Sequence, residues 1–245
     1  MITLTAMAAG MTSIKFAIVN KWEEAVIAII VAAFMDAFDG AAARLLKAES
    51  KLGAELDSLS DFICFGVAPS LVVFLWTTHT SGKFGWVMSL IFAMAVALRL
   101  ARFNISCDDE SAKDNPLAKY FTGVPSPVGA GLALLPMVVS FQLDETSNPL
   151  FVEYIKMPEV VCAWMLVLGA MMVSHIPTFS SKQMHIPNKM TVPALALFGL
   201  FVSGIINNPW PTLTIICVIY LLSIPFSVRH YNKKEKSLLS SISED

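Results

Sequence analysis

An all-α bundle of about eight membrane-spanning helices is the fold class that this sequence predicts, on three observations. Hydrophobic residues make up 56% of the 245 residues and charged residues only 15%, with a mean hydropathy of +0.65, which excludes an ordinary soluble domain. The apolar residues gather into eight segments, several near the ~17 residues needed to cross the hydrocarbon layer. Basic residues fall mostly between segments, and unequally on the two sides.

In order, the segments run from Ile2 to Asn20, Trp22 to Leu46, Gly53 to Trp76, Phe84 to Arg102, Val124 to Leu143, Val160 to His175, Met190 to Ile206 and Trp210 to Val228. Pro125 and Pro127 shape the start of the fifth, and His175 reads as the polar end of the sixth. Together they make one transmembrane domain over residues 1–228. The polar, mixed-charge stretch 229–245 is expected to be a mobile cytoplasmic tail. With eight spans both termini share a side, and thirteen of the 17 basic residues lie in the loops there, Arg44, Arg99, Arg102 and Arg229 among them. Lys21, Lys83 and Lys156 lie in the opposite loops, and Lys15 falls inside the first span, where it can snorkel. The positive-inside rule then places both termini in the cytoplasm of a cell, in the inner or plasma membrane of a prokaryote. The first span has neither the basic start nor the small-residue cleavage site of a signal peptide.

Other function classes find little support. A net charge of −2 and the lack of a basic, aromatic-rich segment give no case for nucleic-acid binding. Cys64, Cys107, Cys162 and Cys217 show no Cys-x-x-Cys spacing, so neither a zinc site nor a disulfide framework is expected.

The exceptional charges are Asp36, Asp39, Asp57 and Asp61, inside the second and third apolar segments. An ionised Asp at bilayer depth costs about 2.5–3.5 kcal/mol on insertion scales, so a group of them demands cations or protons. At about 100° per residue, positions 36, 39, 40, 43 and 44 form a stripe about 140° wide on one helix face, and 53, 57 and 61 form a narrower stripe on the other. Antiparallel helices joined near residues 45–52 would bring both acidic pairs to the same depth. Four carboxylates against Arg44 leave a formal charge of −3, and two divalent ions would turn it into +1, suited to a phosphate substrate. Oxygen-only donors suit Mg²⁺ or Mn²⁺, with Ca²⁺ as a third candidate. Gly40, Ala43 and Gly53 clear bulk from these faces, either for a ligand that approaches the backbone or for close helix packing.

The run Asp36-x2-Asp39-Gly40-x2-Ala43-Arg44-x8-Gly53-x3-Asp57-x3-Asp61 resembles, at every defining position, the signature of the CDP-alcohol phosphotransferase family. The wider text, DSLSDFICFGVAPS from Asp57, RLARFN from Arg99, GVPSP from Gly123 and SHIPTFSSK from Ser174, is similar to the integral-membrane branch whose acceptor is L-serine. One departure is visible at the start. Members carry a Pro-Asn pair before the first span and a Thr shortly after it, whereas this chain opens Met1-Ile2-Thr3, so only Thr3 matches.

The resemblance implies transfer of the phosphatidyl group from CDP-diacylglycerol to the serine hydroxyl, with CMP leaving. It implies that Asp36, Asp39, Asp57 and Asp61 hold two divalent cations, that Gly40, Ala43 and Gly53 let the cytidine diphosphate lie against the helices, and that Arg44 holds its phosphates. Asp61 is then the base that takes the hydroxyl proton. A homodimer amid membrane lipids is also implied. Arg99 and Arg102, on the active-site side, are candidates to clamp a phosphate or the serine carboxylate, against the alternative of positive-inside anchors. Inositol phosphate, glycerol 3-phosphate and choline remain alternative acceptors. An ion-coupled transporter is the alternative from another class; it would not require Gly40, Ala43, Arg44 and Gly53 in register with the carboxylates.

Overall fold

A computed structural model describes residues 2–46, 51–108, 120–143, 149–174, 177–179, 199 and 203–242. The described chain is helical apart from one short ribbon. Helices α1 (Ile2–Ile18) and α2 (Trp22–Leu46) form a hairpin. Asn20 turns it with a left-handed backbone, φ 59°, which Asn tolerates better than most residues. The Lys21 N–H closes the turn on the Phe16 carbonyl at 2.9 Å. Ala6, Ala17, Ala25 and Ala32 are buried, the small-residue seam by which membrane helices approach closely.

Helix α3 (Lys51–Asp61) passes through a π-helical turn (Phe62–Val67) into α4 (Ala68–Trp76), and the three pieces make one apolar span, Leu52–Trp76. Pro69 accounts for the π turn: it has no N–H for the Phe65 carbonyl four residues back, and its ring crowds that carbonyl. The turn is tied to α1, where a Cβ added at Gly10 would stand 2.7 Å from the Cys64 sulfur and 3.1 Å from its Cα. Only glycine fits at position 10.

Helix α5 (Lys83–Asp108) returns, and a short strand β1 (Tyr120–Thr122) precedes α6 (Ser126–Gln142). Helices α7 (Pro149–Lys156) and α8 (Pro158–Val173) follow, bent 54° to each other. Strand β2 (Pro177–Phe179) pairs antiparallel with β1, Phe121 opposite Thr178. Gly123, φ +86°, leads from the ribbon into α6 where a Cβ would stand 2.7 Å from the Met172 carbonyl oxygen. Helix α9 (Pro209–Ile242) ends the described chain.

Phe92, Val96, Leu132, Met165 and Leu168 are fully buried between α5, α6 and α8, with the Trp164 indole N–H on the Leu132 carbonyl at 2.8 Å. At one end of this core the Thr77 hydroxyl donates to the Lys156 carbonyl at 2.7 Å. At the other the Asn104 amide donates to the Ser58 hydroxyl at 2.9 Å. The acidic pairs sit at this second end.

Four described helices are long and apolar enough to cross a membrane, and the bent α7–α8 pair makes a fifth candidate; α1 and α6 are apolar but shorter. The expected segment from Met190 to Ile206 lies mostly outside the described residues, and His175 lies outside them. Helix α9 continues past Val228 to Ile242, through most of the stretch expected to form the polar tail. A helix already nucleated within the apolar span propagates at little cost through good formers such as Lys233, Glu235 and Leu238.

Candidate functional site

The stripes expected on two helices do converge. The Asp36 carboxyl of α2 lies within hydrogen-bonding reach of both Asp57 and Asp61 of α3, and Asp39 lies within electrostatic range of Asp36 and Asp57. All four are partly buried. Carboxyl groups this close repel unless a proton or a cation lies between them. Asp57 and Asp61 keep their spacing of one helical turn because the π distortion begins only at Phe62.

Helix α1 reaches the site packed against both α2 and α3. The Thr3 hydroxyl donates to Asp39 Oδ2, and the Ser60 hydroxyl donates to the Thr3 carbonyl at 3.2 Å. The Cys64 thiol donates to the Ala6 carbonyl at 3.3 Å. The start of α1 is thereby fixed to both acid-bearing helices. The sequence signalled Thr3 only through its place in the family pattern; its partner Asp39 had no local signal.

Two arginines of α5 take different roles. Arg99 turns inward, donating to the Ser126 hydroxyl at 2.6 Å, with Asp61 in electrostatic range and its guanidinium 5.7 Å from the Phe103 ring centre. Arg102 is exposed and donates to the Val173 carbonyl, at the C-terminus of α8, where a cation complements the helix dipole.

Gly40 distinguishes the two roles weighed for the small residues. A Cβ added there would meet nothing within 4 Å, so Gly40 faces open space and not a packed helix. Gly53 is exposed near the start of α3. Ala43 and Arg44 fall in the last turns of α2, and their side chains lie outside the described residues.

Beside the carboxylates an apolar groove of about 550 Å³ runs along α2 from Val26 to Ala41, closed by α6 and α9 through residues such as Leu134, Val138 and Leu213. Its α2 lining, centred on Ala33 and Ala37, is rotated about 100° from the acidic stripe. Polar chemistry and an apolar trough thus share one helix.

The donor set fits hard divalent cations: it is all oxygen, and Asp61 Oδ1 is buried without a hydrogen bond. Among the described residues no three His, Cys, Asp or Glu side chains are already arranged to hold an ion.

Comparison with known proteins follows the same lines. A family profile described as CDP-alcohol phosphatidyltransferase matches residues 1–176, and a second, CDP-alcohol phosphatidyltransferase 2, matches residues 189–225. The chain is 32% identical over 230 residues to a CDP-diacylglycerol–serine O-phosphatidyltransferase of Mycobacterium leprae, covering 93% of this chain and 73% of that protein. It is 31% identical over 223 residues to the protein of the same name from Helicobacter pylori, covering 90% and 86%. It is 36% identical over 150 residues to that of Bacillus subtilis, covering 61% and 76%.

Proposed function

Because the chain belongs to the CDP-alcohol phosphatidyltransferase family, we propose that it transfers the phosphatidyl group of CDP-diacylglycerol to the hydroxyl of L-serine, giving phosphatidylserine and CMP. The relatives named for that reaction, from three bacterial genera, support serine as the acceptor. The observation that carries the chemistry is the convergence of Asp36, Asp57 and Asp61 from two helices beside the open backbone at Gly40.

The family uses divalent metal ions, and Asp36, Asp39, Asp57 and Asp61 are the residues that would hold a pair of Mg²⁺ or Mn²⁺. When bound, the cations neutralise charge on the diphosphate and on the departing CMP. Gly40, Ala43 and Gly53 leave room for the nucleotide against the helices, and Arg44 meets its phosphates. Asp61 Oδ1, buried and without a hydrogen bond, takes the proton of the serine hydroxyl as that oxygen bonds to the β-phosphorus and the bond to CMP breaks. The apolar groove suits the acyl chains of the lipid substrate.

The same reading keeps eight spans, counting α1, α6, the bent α7–α8 pair and the segment from Met190 to Ile206. It places the site and both termini on the cytoplasmic face, where thirteen of the 17 basic residues collect and where serine is available. A homodimer belongs to it as well, by family resemblance. The test is an acceptor panel: purified protein in vesicles with CDP-diacylglycerol and Mn²⁺ or Mg²⁺ is offered serine, glycerol 3-phosphate, inositol phosphate and choline. Phosphatidylserine and stoichiometric CMP are expected from serine alone. A different lipid product would move the acceptor, and silence with every acceptor and metal would remove the enzyme reading.

A further inference from the structure

Arg99, Ser126 and Tyr220 come from α5, α6 and α9 and meet beside Asp61. Ser126 is 0% exposed and accepts a hydrogen bond from Arg99. The Tyr220 hydroxyl is buried and lies within electrostatic range of the same guanidinium. A cation held inside a membrane bundle is costly unless it has a task or a partner. Arg102, one turn on and exposed, occupies the position of a loop-side anchor, so anchoring does not explain why Arg99 points inward.

A guanidinium carries five N–H donors in a planar fork that matches a carboxylate two-to-two. Ser126 engages one nitrogen, Nη1, at 2.6 Å and leaves the other donors of the fork for a ligand. Asp61, the group that must face the acceptor hydroxyl, lies within electrostatic range of Arg99. We infer that Arg99 receives the α-carboxylate of the acceptor amino acid, with Ser126 as the positioning residue that holds its fork toward the site, and Tyr220 within electrostatic range of the same guanidinium, so that the acceptor hydroxyl is presented to Asp61. This rests on the reading of serine as acceptor. It assigns acceptor choice to a cluster drawn from three spans outside the aspartate motif, and it predicts discrimination against amino alcohols that lack a carboxylate.

The experiment compares wild type, Ser126→Ala, Ser126→Thr, Tyr220→Phe and Arg99→Lys in CDP-diacylglycerol vesicles, measuring KM for serine, KM for CDP-diacylglycerol, and the preference for serine over serinol, its carboxylate-free analogue. Loss of the Ser126 hydrogen bond that orients the guanidinium should raise the serine KM about 10-fold in Ser126→Ala, and loss of the neighbouring Tyr220 hydroxyl should raise it by a smaller factor in Tyr220→Phe. The lipid KM should stay within twofold, and Ser126→Thr should restore the serine KM. Arg99→Lys should reduce the preference over serinol more than either. Thermal stability in detergent separates folding defects, and Arg99→Lys carries the test if Ser126→Ala does not fold. An unchanged serine-to-serinol preference in Arg99→Lys, or a rise in the lipid KM alone, overturns the assignment while leaving serine transfer intact. A wild-type protein that uses another acceptor and no serine overturns both.

Discussion

Thr3 and Asp39 are joined across the α1–α2 hairpin, the threonine hydroxyl donating to the aspartate Oδ2. That contact leaves the second oxygen of Asp39 for another partner and fixes the carboxylate plane. Groups that orient a metal-binding carboxylate are worth about 10–100-fold in metal affinity or activity. Thr3→Val keeps the volume and removes the donor, so kcat/KM is expected to fall by about 10-fold or more, with Thr3→Ser close to wild type. Steady-state CMP release checks it; full activity in Thr3→Val would mean that Asp39 is oriented by other contacts.

Two glycines separate packing from access. Gly10→Ala forces a Cβ to 2.7 Å from the Cys64 sulfur and is expected to lower the thermal midpoint. Gly40→Ala meets nothing within 4 Å and gains about 0.5–1 kcal/mol of helix stability. It should hold or raise the midpoint and yet increase KM for CDP-diacylglycerol. Unaltered kinetics in Gly40→Ala would show that the nucleotide does not lie against this backbone.

The groove along α2 makes a prediction about chain length. Ala33 lines it about one turn from Asp36, so Ala33→Phe fills the trough without replacing a polar group. The variant should discriminate against long-chain CDP-diacylglycerol while using the dioctanoyl substrate nearly as well as wild type. Equal losses on both substrates would place the acyl chains elsewhere.

Chelation supplies a further check. Removing divalent ions from protein in vesicles should abolish CMP release, and Mg²⁺ or Mn²⁺ should restore it, because a cluster of acidic side chains near −3 repels a diphosphate. Turnover that persists under chelation would contradict the cation-holding role of the aspartates.

The sequence made the acidic face legible because helical spacing alone puts Asp36, Asp39 and Gly40 on one stripe and Asp57 and Asp61 on another. The carboxyls do meet, although α1, and not a direct α2–α3 pairing, is the helix packed against both acid-bearing segments. Long-range partners were not legible: Ser126, Tyr220 and Asn104 act across gaps of 27 to 121 residues from Arg99 and 46 from Ser58, which no local period encodes. The π turn at Phe62–Val67 escaped because its cause, Pro69, reads equally well as a helix start. The length of α9 is not legible in the sequence because polar composition alone does not report that a preceding apolar helix removes the nucleation cost.

Asp61→Asn tests the central claim most directly. The amide keeps shape and burial and removes the proton acceptor, so phosphatidylserine formation should fall by about 100-fold or more, while CDP-diacylglycerol binding, measured by protection against thermal unfolding, persists. Turnover within a few-fold of wild type with intact binding would contradict the assignment of Asp61 as the base.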